Sequence, residues 1–465
     1  MDNTKKREVD VTNYYIEKMA AIVAKTPAIP KALIVTHGCQ MNARDSEKLR
    51  GMLVEMGYEV LDKDTENPDL VIFNTCCVRE NAENKLYGNL GEFKIKKREN
   101  RNLKIVLCGC MMQQDIVVDK IMQSYNYVDV IFGTHNIYRF PELLHSNYIT
   151  GSNIIDIWKD AEEIVEDLPS IREFPHKASV NIMYGCDNFC TFCIVPYVRG
   201  RERSRAPEDI LNEIRAQVAD GVSEITLLGQ NVDSYGKGLE TEINFAKLLH
   251  MVSEIDGLHR IRFTSNHPKD VSDDVIQAMC NLDKVCKHLH LPFQAGSTRV
   301  LNAMNRGYTK EEYLDLVARI KVAMPQIAIT TDIMVGFPSE TEEDFEDTLD
   351  VVRKARFAGA FTFMYSRRQG TVADTMPDHV PQDVMKQRFN RLLTEVNRIA
   401  HEVSIAKQGK ILQVMPEVVG KNGILNGRAD DNSLVHFVGD VDLLGTLVDV
   451  KITEARTFYL NGEIV

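Results

Sequence analysis

An alternation of short apolar runs with helical stretches, repeated in two blocks, constrains this chain more than any other feature. In the first block KALIVTHG (31–38), DLVIFNT (69–75), LKIVLCG (103–109) and VDVIFGT (128–134) read as buried strands, with helices over 46–57 and 81–98 between them. In the second, six runs alternate with helical segments at 207–220, 244–255, 310–324 and 340–358: ASVNIMY (178–184), EITLLG (224–229), RIRFTS (260–265), KHLHLPF (287–293), IAITTDIMVG (327–336) and AFTFMYS (360–366). Strands joined through helices pair in parallel, because a tight hairpin cannot return a strand in the same direction. The chain is therefore α/β. An open parallel sheet is expected first, then an incomplete, six-unit version of the eight-stranded barrel. In both architectures the working groups gather at the C-terminal ends of the strands.

The remainder falls outside this alternation. Residues 1–30 read as an extension carrying one amphipathic helix from Tyr14 to Lys25, stopped near Pro27 and Pro30. The first α/β domain is expected over 31–147, closing near Ser146, and the acidic run Asp160–Asp167 reads as a solvated connector. The barrel is expected over 170–402, ending in a long helix from Pro381 to about Lys407. Residues 405–465, rich in β-branched and aromatic runs such as ILQVMPEVV, SLVHFVG, TLVDVKITEA and TFYLNGEIV, read as a small all-β barrel. Of the 465 residues, 44% are hydrophobic and 26% charged, which excludes a disordered or fibrous chain. With no apolar stretch of ~18 residues, no membrane span is expected. The polar first residues lack a signal-peptide core. A cytoplasmic location is expected, where cysteines stay reduced and serve metals or catalysis.

The chain has ten cysteines. Cys186, Cys190 and Cys193 form Cys-x3-Cys-x2-Cys just after the first barrel strand, with Phe192 beside the last. A loop this short can wrap three thiolates around one cubic iron–sulfur cluster and leave the fourth iron open. A structural zinc site would need a fourth ligand, and none is near in sequence. A zinc loop with a distant ligand, or three unrelated cysteines, remains the alternative. Cys39, Cys76 and Cys110 each follow a strand of the first domain and should converge at one sheet edge, again as a set of three. Buried structural cysteines are the alternative there. Cys77 adjoins Cys76 and Cys108 lies two before Cys110, so spacing alone does not choose between them. Cys280 and Cys286 read as structural.

The loop YGCDNFCTFC resembles that of the radical SAM superfamily, in which the open iron binds S-adenosylmethionine and one electron cleaves it to a 5′-deoxyadenosyl radical. GCQMN (38–42), NTCCVRENA (74–82) and CGCMMQQ (108–114) resemble the three signatures of the methylthiotransferase family. The resemblance implies Cys39, Cys76 and Cys110 as ligands of an auxiliary [4Fe–4S] cluster, with Cys77 and Cys108 as bystanders. It implies Cys186, Cys190 and Cys193 as ligands of the radical SAM [4Fe–4S] cluster. One S-adenosylmethionine then methylates a sulfur on the auxiliary cluster and a second supplies the radical, so that a methylthio group replaces hydrogen. IVPYVRGRERSRAPEDI (194–210) and TLLGQNVDSYG (226–236) look like the branch acting on N6-dimethylallyladenosine next to the anticodon of tRNA. The runners-up are the branches acting on threonylcarbamoyl-adenosine and on a ribosomal protein, and a non-catalytic iron–sulfur carrier is a distant third. YSRRQGTVA (365–373) departs slightly, since the family commonly has proline where Arg368 or Gln369 stands. An external electron donor and a sulfur or cluster donor are implied as partners.

Barrel-end residues are the candidates for cofactor contact: Phe192, Gly229, Gln230, Asn231, Ser265, Gln294, Val335 and Gly336, with His267 a possible turn former. With 55 basic and 67 acidic residues the net charge is −12, so RNA contact must be confined to local patches. Arg199, Arg201, Arg203 and Arg205 stand at alternate positions and, if extended, would share one face able to hold phosphates. Lys94, Lys96, Lys97, Arg98 and Arg101 form a second basic run. ILNGRADDNSLVHF (424–437) resembles the TRAM domain, a small RNA-binding barrel, in which Lys421, Arg428, Phe437 and Arg456 are the candidates.

Overall fold

The computed structural model describes residues 3–62, 67–77, 80–160 and 164–465. Val78 and Arg79 of the NTCCVRENA stretch, the side chains of residues 80–82 and residues 161–163 of the acidic run lie outside that description. The chain divides into two compact units. The first comprises Met1–Glu173 with Tyr184–Cys186 and Ile194–Arg201. The second comprises Phe174–Met183, Asp187–Cys193 and Glu202–Val465.

The first unit is built on a six-stranded, wholly parallel sheet. In spatial order its strands are Glu59–Leu61, Lys31–Thr36, Leu70–Thr75, Lys104–Gly109, Val130–Phe132 and Ile154–Asp156. All four expected strands are present. Two more were missed, because each has three residues and, unlike Val130–Phe132 within VDVIFGT, no longer apolar run around it. The sixth lies beyond residue 147, so the sheet runs past the expected close near Ser146. Every residue of the central strand Leu70–Thr75 is buried, as expected for a sheet covered on both faces. The N-terminal helix spans Asn3–Val23, longer than the expected Tyr14–Lys25. It is part of the domain and not an appendage: Ile16, Met19 and Val23 join Leu49, Met52, Phe132 and Phe140 in one of the two cores flanking the sheet.

The second unit holds the six expected parallel strands. Lys177–Asn181, Glu224–Leu228 and Arg260–Phe263 form one three-stranded sheet, and His288–His290, Ala328–Val335 and Gly359–Met364 another. A parallel bridge between Ile261 and Val285 joins the two in sequence order. The last strand exposes Phe361, Phe363 and Met364, consistent with a barrel left open on that side. Helices such as Lys310–Ala323 and Glu342–Ala355 start on capping boxes at Thr309 and Thr341, which satisfy backbone N–H groups left over in the first turn. After the helix Gln382–Ile405, five strands close into a barrel, including Ile424–Ala429, which the strand reading passed over. Arg262 fixes this barrel to the α/β core: it pairs with Glu224 at 3.0 Å and donates to the carbonyl oxygens of Ala429 at 2.8 Å and Asp430 at 3.2 Å.

Candidate functional site

The register of the first sheet brings three cysteine-bearing strand ends side by side. Thr36 lies opposite Asn74, and Thr75 opposite Gly109. Cys76 and Cys110 each follow directly, and Cys39 comes three residues after Thr36, at the start of the helix Gln40–Glu55. Two amides clamp these ends. Asn42 Nδ2 donates to Asn74 Oδ1 and to the Thr75 carbonyl, both at 3.1 Å. Asn74 Nδ2 returns to the Asn42 carbonyl at 2.9 Å. Gly38 has φ +137°, and a Cβ there would stand 2.8 Å from that of Cys76, so only glycine lets the Cys39 turn press on the neighbouring strand end. Cys108 is buried on the strand itself, within the hydrophobic core. Cys77 is half-buried, and its hydrogen bond to Cys110 together with burial pushes its thiol up.

Arg199 stands in the middle of this group. It is 4% exposed, donates from Nε to Cys110 Sγ at 3.1 Å and pairs with Asp45 at 2.9 Å. The Cys110 thiol is drawn down, first by the hydrogen bond from Cys77 and, against the opposing effect of burial, by the Arg199 charge. The extended comb of four arginines therefore does not form. Arg199 ends a short helix, Val195–Arg199, and is buried. Arg205 is also buried, donating to the Asn181 carbonyl and paired with Glu213 at 2.7 Å. Arg201 is exposed and Arg203 half-buried.

In the second unit the loop Asp187–Cys193 is pinned by backbone partners. Thr191 donates through N and Oγ1 to the carbonyls of Met304 at 3.0 Å and Ala303 at 2.9 Å. Asn305 Nδ2 caps the carbonyls of Asn188 and Phe189 at 3.0 and 3.2 Å. Cys190 is buried, Cys193 half-buried, and the Cys193 N–H bonds the Cys190 carbonyl at 2.9 Å. Cys186, counted with the first unit, is also buried. Phe192 packs, partly buried, on the barrel core. A second buried arginine, Arg306, donates to Cys190 Sγ at 3.3 Å. No reading of the sequence singled it out. Its signal, a basic residue in the loop between the helices Thr298–Ala303 and Lys310–Ala323, is too common to stand out.

Among the described residues no three His, Cys, Asp or Glu side chains are gathered closely enough to hold one metal ion. A cubic cluster makes a different demand, since its thiolates bind separate irons and stand farther apart. All-thiol donors, one near arginine per triad and, in the Cys186–Cys193 loop, the absence of a fourth cysteine or histidine suit such a group better than zinc.

The barrel-end candidates divide. Asn231 is buried, donates to Asp270 at 2.8 Å and leaves its Oδ1 without a partner. The buried Asn266 Oδ1 and His267 Nε2 are likewise unpartnered. Buried polar atoms rarely stay unpaired, so the mouth of the second and third strands is equipped for a polar ligand. Burial lowers His267 to about 2, assisted by Arg306, and so it stays neutral. Burial raises Asp233 to about 7 against the donors His267 N–H and Asn266. Ser265 and Gln294 hold φ of +71° and +68°, unusual for non-glycine residues and typical of functional strand ends. Gln230 is half-buried beside them. Three candidates are differently employed. The Cβ direction of Gly229 is filled by Met183 and that of Gly336 by Met385, so these glycines make room for side chains, while Val335 is core. In the C-terminal barrel Phe437 is also core, which removes it as a stacking platform. Arg428, with Lys407, Phe361, Phe458 and Tyr459, lines a cavity of about 310 Å³. Lys421 and Arg456 are exposed. In the other basic run Lys97 is tied to Asp129 and Lys96 to Glu92, leaving Lys94, Arg98 and Arg101 exposed.

Comparison with known proteins gives three family matches: the uncharacterized protein family UPF0004 over residues 31–133, the radical SAM superfamily over 180–352 and the TRAM domain over 406–465. Proteins named tRNA-2-methylthio-N(6)-dimethylallyladenosine synthase are similar throughout. That of Lachnoclostridium phytofermentans is 54% identical over 93% of this chain and 95% of its own. That of Clostridioides difficile is 55% identical over 92% and 90%, and that of Alkaliphilus oremlandii 50% over 99% of both. Among solved structures, the radical S-adenosylmethionine methyltransferase TsrM from Kitasatospora setae shares the fold, with a TM-score of 0.52 at 14% identity over 75% of this chain and 77% of its own. No helix among the described residues is long and apolar enough to cross a membrane.

Proposed function

The chain belongs to the tRNA-2-methylthio-N(6)-dimethylallyladenosine synthase family, and on that premise we propose that it replaces the hydrogen at carbon 2 of N6-dimethylallyladenosine in tRNA with a methylthio group. It is a radical SAM enzyme that uses [4Fe–4S] clusters and S-adenosylmethionine. When bound, these supply the radical that removes the hydrogen and the sulfur and methyl that replace it. Two S-adenosylmethionine molecules would supply these, one the methyl group and the other the radical that takes up the hydrogen.

The chain's own residues position these groups. Cys186, Cys190 and Cys193 would hold the radical SAM cluster, and Cys39, Cys76 and Cys110 the auxiliary one. The observation that carries this assignment is the register placing the last three at adjacent strand ends, braced by Asn42 and Asn74. Asn231, Ser265, Asn266, His267 and Gln294 would receive the polar parts of S-adenosylmethionine at the barrel mouth. Arg201, Arg203 and Arg428 are the candidates for phosphate contact with the anticodon stem-loop. An external electron donor and a sulfur or cluster donor complete the reaction, in the cytoplasm where tRNA is processed.

The test is anaerobic reconstitution followed by turnover. About eight iron atoms per chain are expected, falling to about four when Cys39, Cys76 and Cys110, or Cys186, Cys190 and Cys193, are replaced by alanine. With S-adenosylmethionine and reductant, tRNA carrying N6-dimethylallyladenosine should yield the methylthio nucleoside by mass spectrometry. Product on threonylcarbamoyl-adenosine tRNA alone refutes the substrate, and unaltered iron in either triple variant refutes the ligand assignment.

A further inference from the structure

Each cysteine triad is served by one buried arginine, and the two differ in how their charge is balanced. Arg199 donates to Cys110 and is paired with the carboxylate of Asp45 at 2.9 Å. Arg306 is 5% exposed and donates to Cys190 Sγ at 3.3 Å, to the Pro292 carbonyl at 2.8 Å and to Tyr308 Oη at 3.2 Å. Tyr308 in turn donates to the Phe293 carbonyl at 3.0 Å. The oxygens among these partners belong to carbonyls and a phenol, and among the described residues no carboxylate pairs with Arg306. Lys269, whose charge also acts on His267 together with that of Arg306, adds positive potential at the same end of the barrel.

A full positive charge buried among neutral groups is costly unless an anion compensates it. A thiolate-bound cluster supplies that anion, and adding an electron makes it more negative. Hydrogen bonds to cluster sulfurs and nearby charge are main determinants of reduction potential. At the auxiliary triad Asp45 already offsets most of the cation's effect. At the barrel loop no carboxylate among the described residues pairs with Arg306 in this way.

We propose that Arg306 is a positioning residue for the radical SAM cluster, holding the Cys190 sulfur through a charge-assisted hydrogen bond and making one-electron reduction of that cluster more favourable. The inference rests on the reading that Cys186, Cys190 and Cys193 hold a cluster. Arg306 touches a ligand, not the substrate, so it acts through Cys190.

The experiment is a redox titration of the reconstituted full-length protein followed by electron paramagnetic resonance, with the loop cluster recognised by the change that S-adenosylmethionine causes in its signal. In R306Q the reduced-to-oxidised ratio of the loop cluster at a fixed potential should drop at least tenfold, a shift of about 59 mV for a one-electron couple. The auxiliary signal should stay in place. R306K keeps the charge without the fork, so its shift should be smaller. A fully loaded R306Q protein with an unmoved loop midpoint overturns the proposal. If R306Q cannot hold the loop cluster, R306K decides: retention of the cluster supports the charge argument, and its loss with the auxiliary cluster intact reduces Arg306 to a scaffold residue. Wild-type protein without an S-adenosylmethionine-sensitive cluster would instead defeat the ligand reading beneath it.

Discussion

Replacing the buried and the accessible members of the four alternate arginines separately distinguishes RNA contact from cluster support. An exposed cationic side chain that neutralises a single-strand phosphate contributes about 0.7 to the slope of log affinity against log salt. A comb of four would contribute about 2.8. The structure withdraws Arg199 and Arg205, each 4% exposed and each already ion-paired, so Arg201 and Arg203 together should contribute only about 1.4. Binding of an anticodon stem-loop measured between low and moderate potassium chloride gives this slope directly. R201Q/R203Q should flatten it by about 1.4, while R199Q and R205Q should leave it unchanged. R199Q should fail elsewhere. It leaves Asp45, 6% exposed, without its counter-charge, at a cost of roughly 3–5 kcal/mol for one half of a buried pair. Its iron content should fall toward that of a protein lacking the auxiliary cluster. A slope flattened by about 0.7 in R199Q, with iron retained, would refute the placement of this arginine.

Three further outcomes follow from the geometry. G38A should lose the auxiliary iron and keep the rest, because its Cβ would meet that of Cys76 at 2.8 Å from a left-handed backbone; iron and sulfide analysis reads it, and a full complement contradicts the close-approach argument. The raised Asp233 contributes stability that is complete below the unfolded carboxylate range and is lost as pH climbs through about 7. The thermal midpoint of D233N should therefore gain on wild type between pH 4.5 and 8, and a difference independent of pH contradicts that burial. R262M removes the partner of Glu224, which is 3% exposed, along with two donors to the C-terminal barrel. It should cost about 3–5 kcal/mol and speed amide hydrogen exchange in residues 424–438, with E224Q recovering part of the loss.

Most parallel strands were legible because each lies within a distinct apolar run, which reaches beyond the strand itself for the three-residue Val130–Phe132 and His288–His290. The three-residue strands Glu59–Leu61 and Ile154–Asp156 were not, since pairing with a longer neighbour makes them strands, not their own pattern. That Cys39, Cys76 and Cys110 stand at neighbouring strand ends could be read because strand-end position is a property of sequence once the strands are known. Glycines were harder. Gly229 and Gly336 have the strand-end position of cofactor glycines, yet each faces a methionine supplied from elsewhere in the chain.

The arginines mark the limit most clearly. Alternate spacing implies a common face only if the segment is extended, and residues 195–199 are helical. That single change of backbone turns Arg199 inward, where Asp45 and Cys110 compensate its charge. Nothing local distinguishes it from Arg201, which the same motif leaves in solvent. The partner that decides between them, Asp45, lies more than a hundred residues away in sequence. Burial of a charged side chain is thus a property of the pair, not of the residue. Arg306 poses the same question in different surroundings, since its partners are the Cys190 sulfur at 3.3 Å, the Pro292 carbonyl at 2.8 Å and the Tyr308 hydroxyl at 3.2 Å.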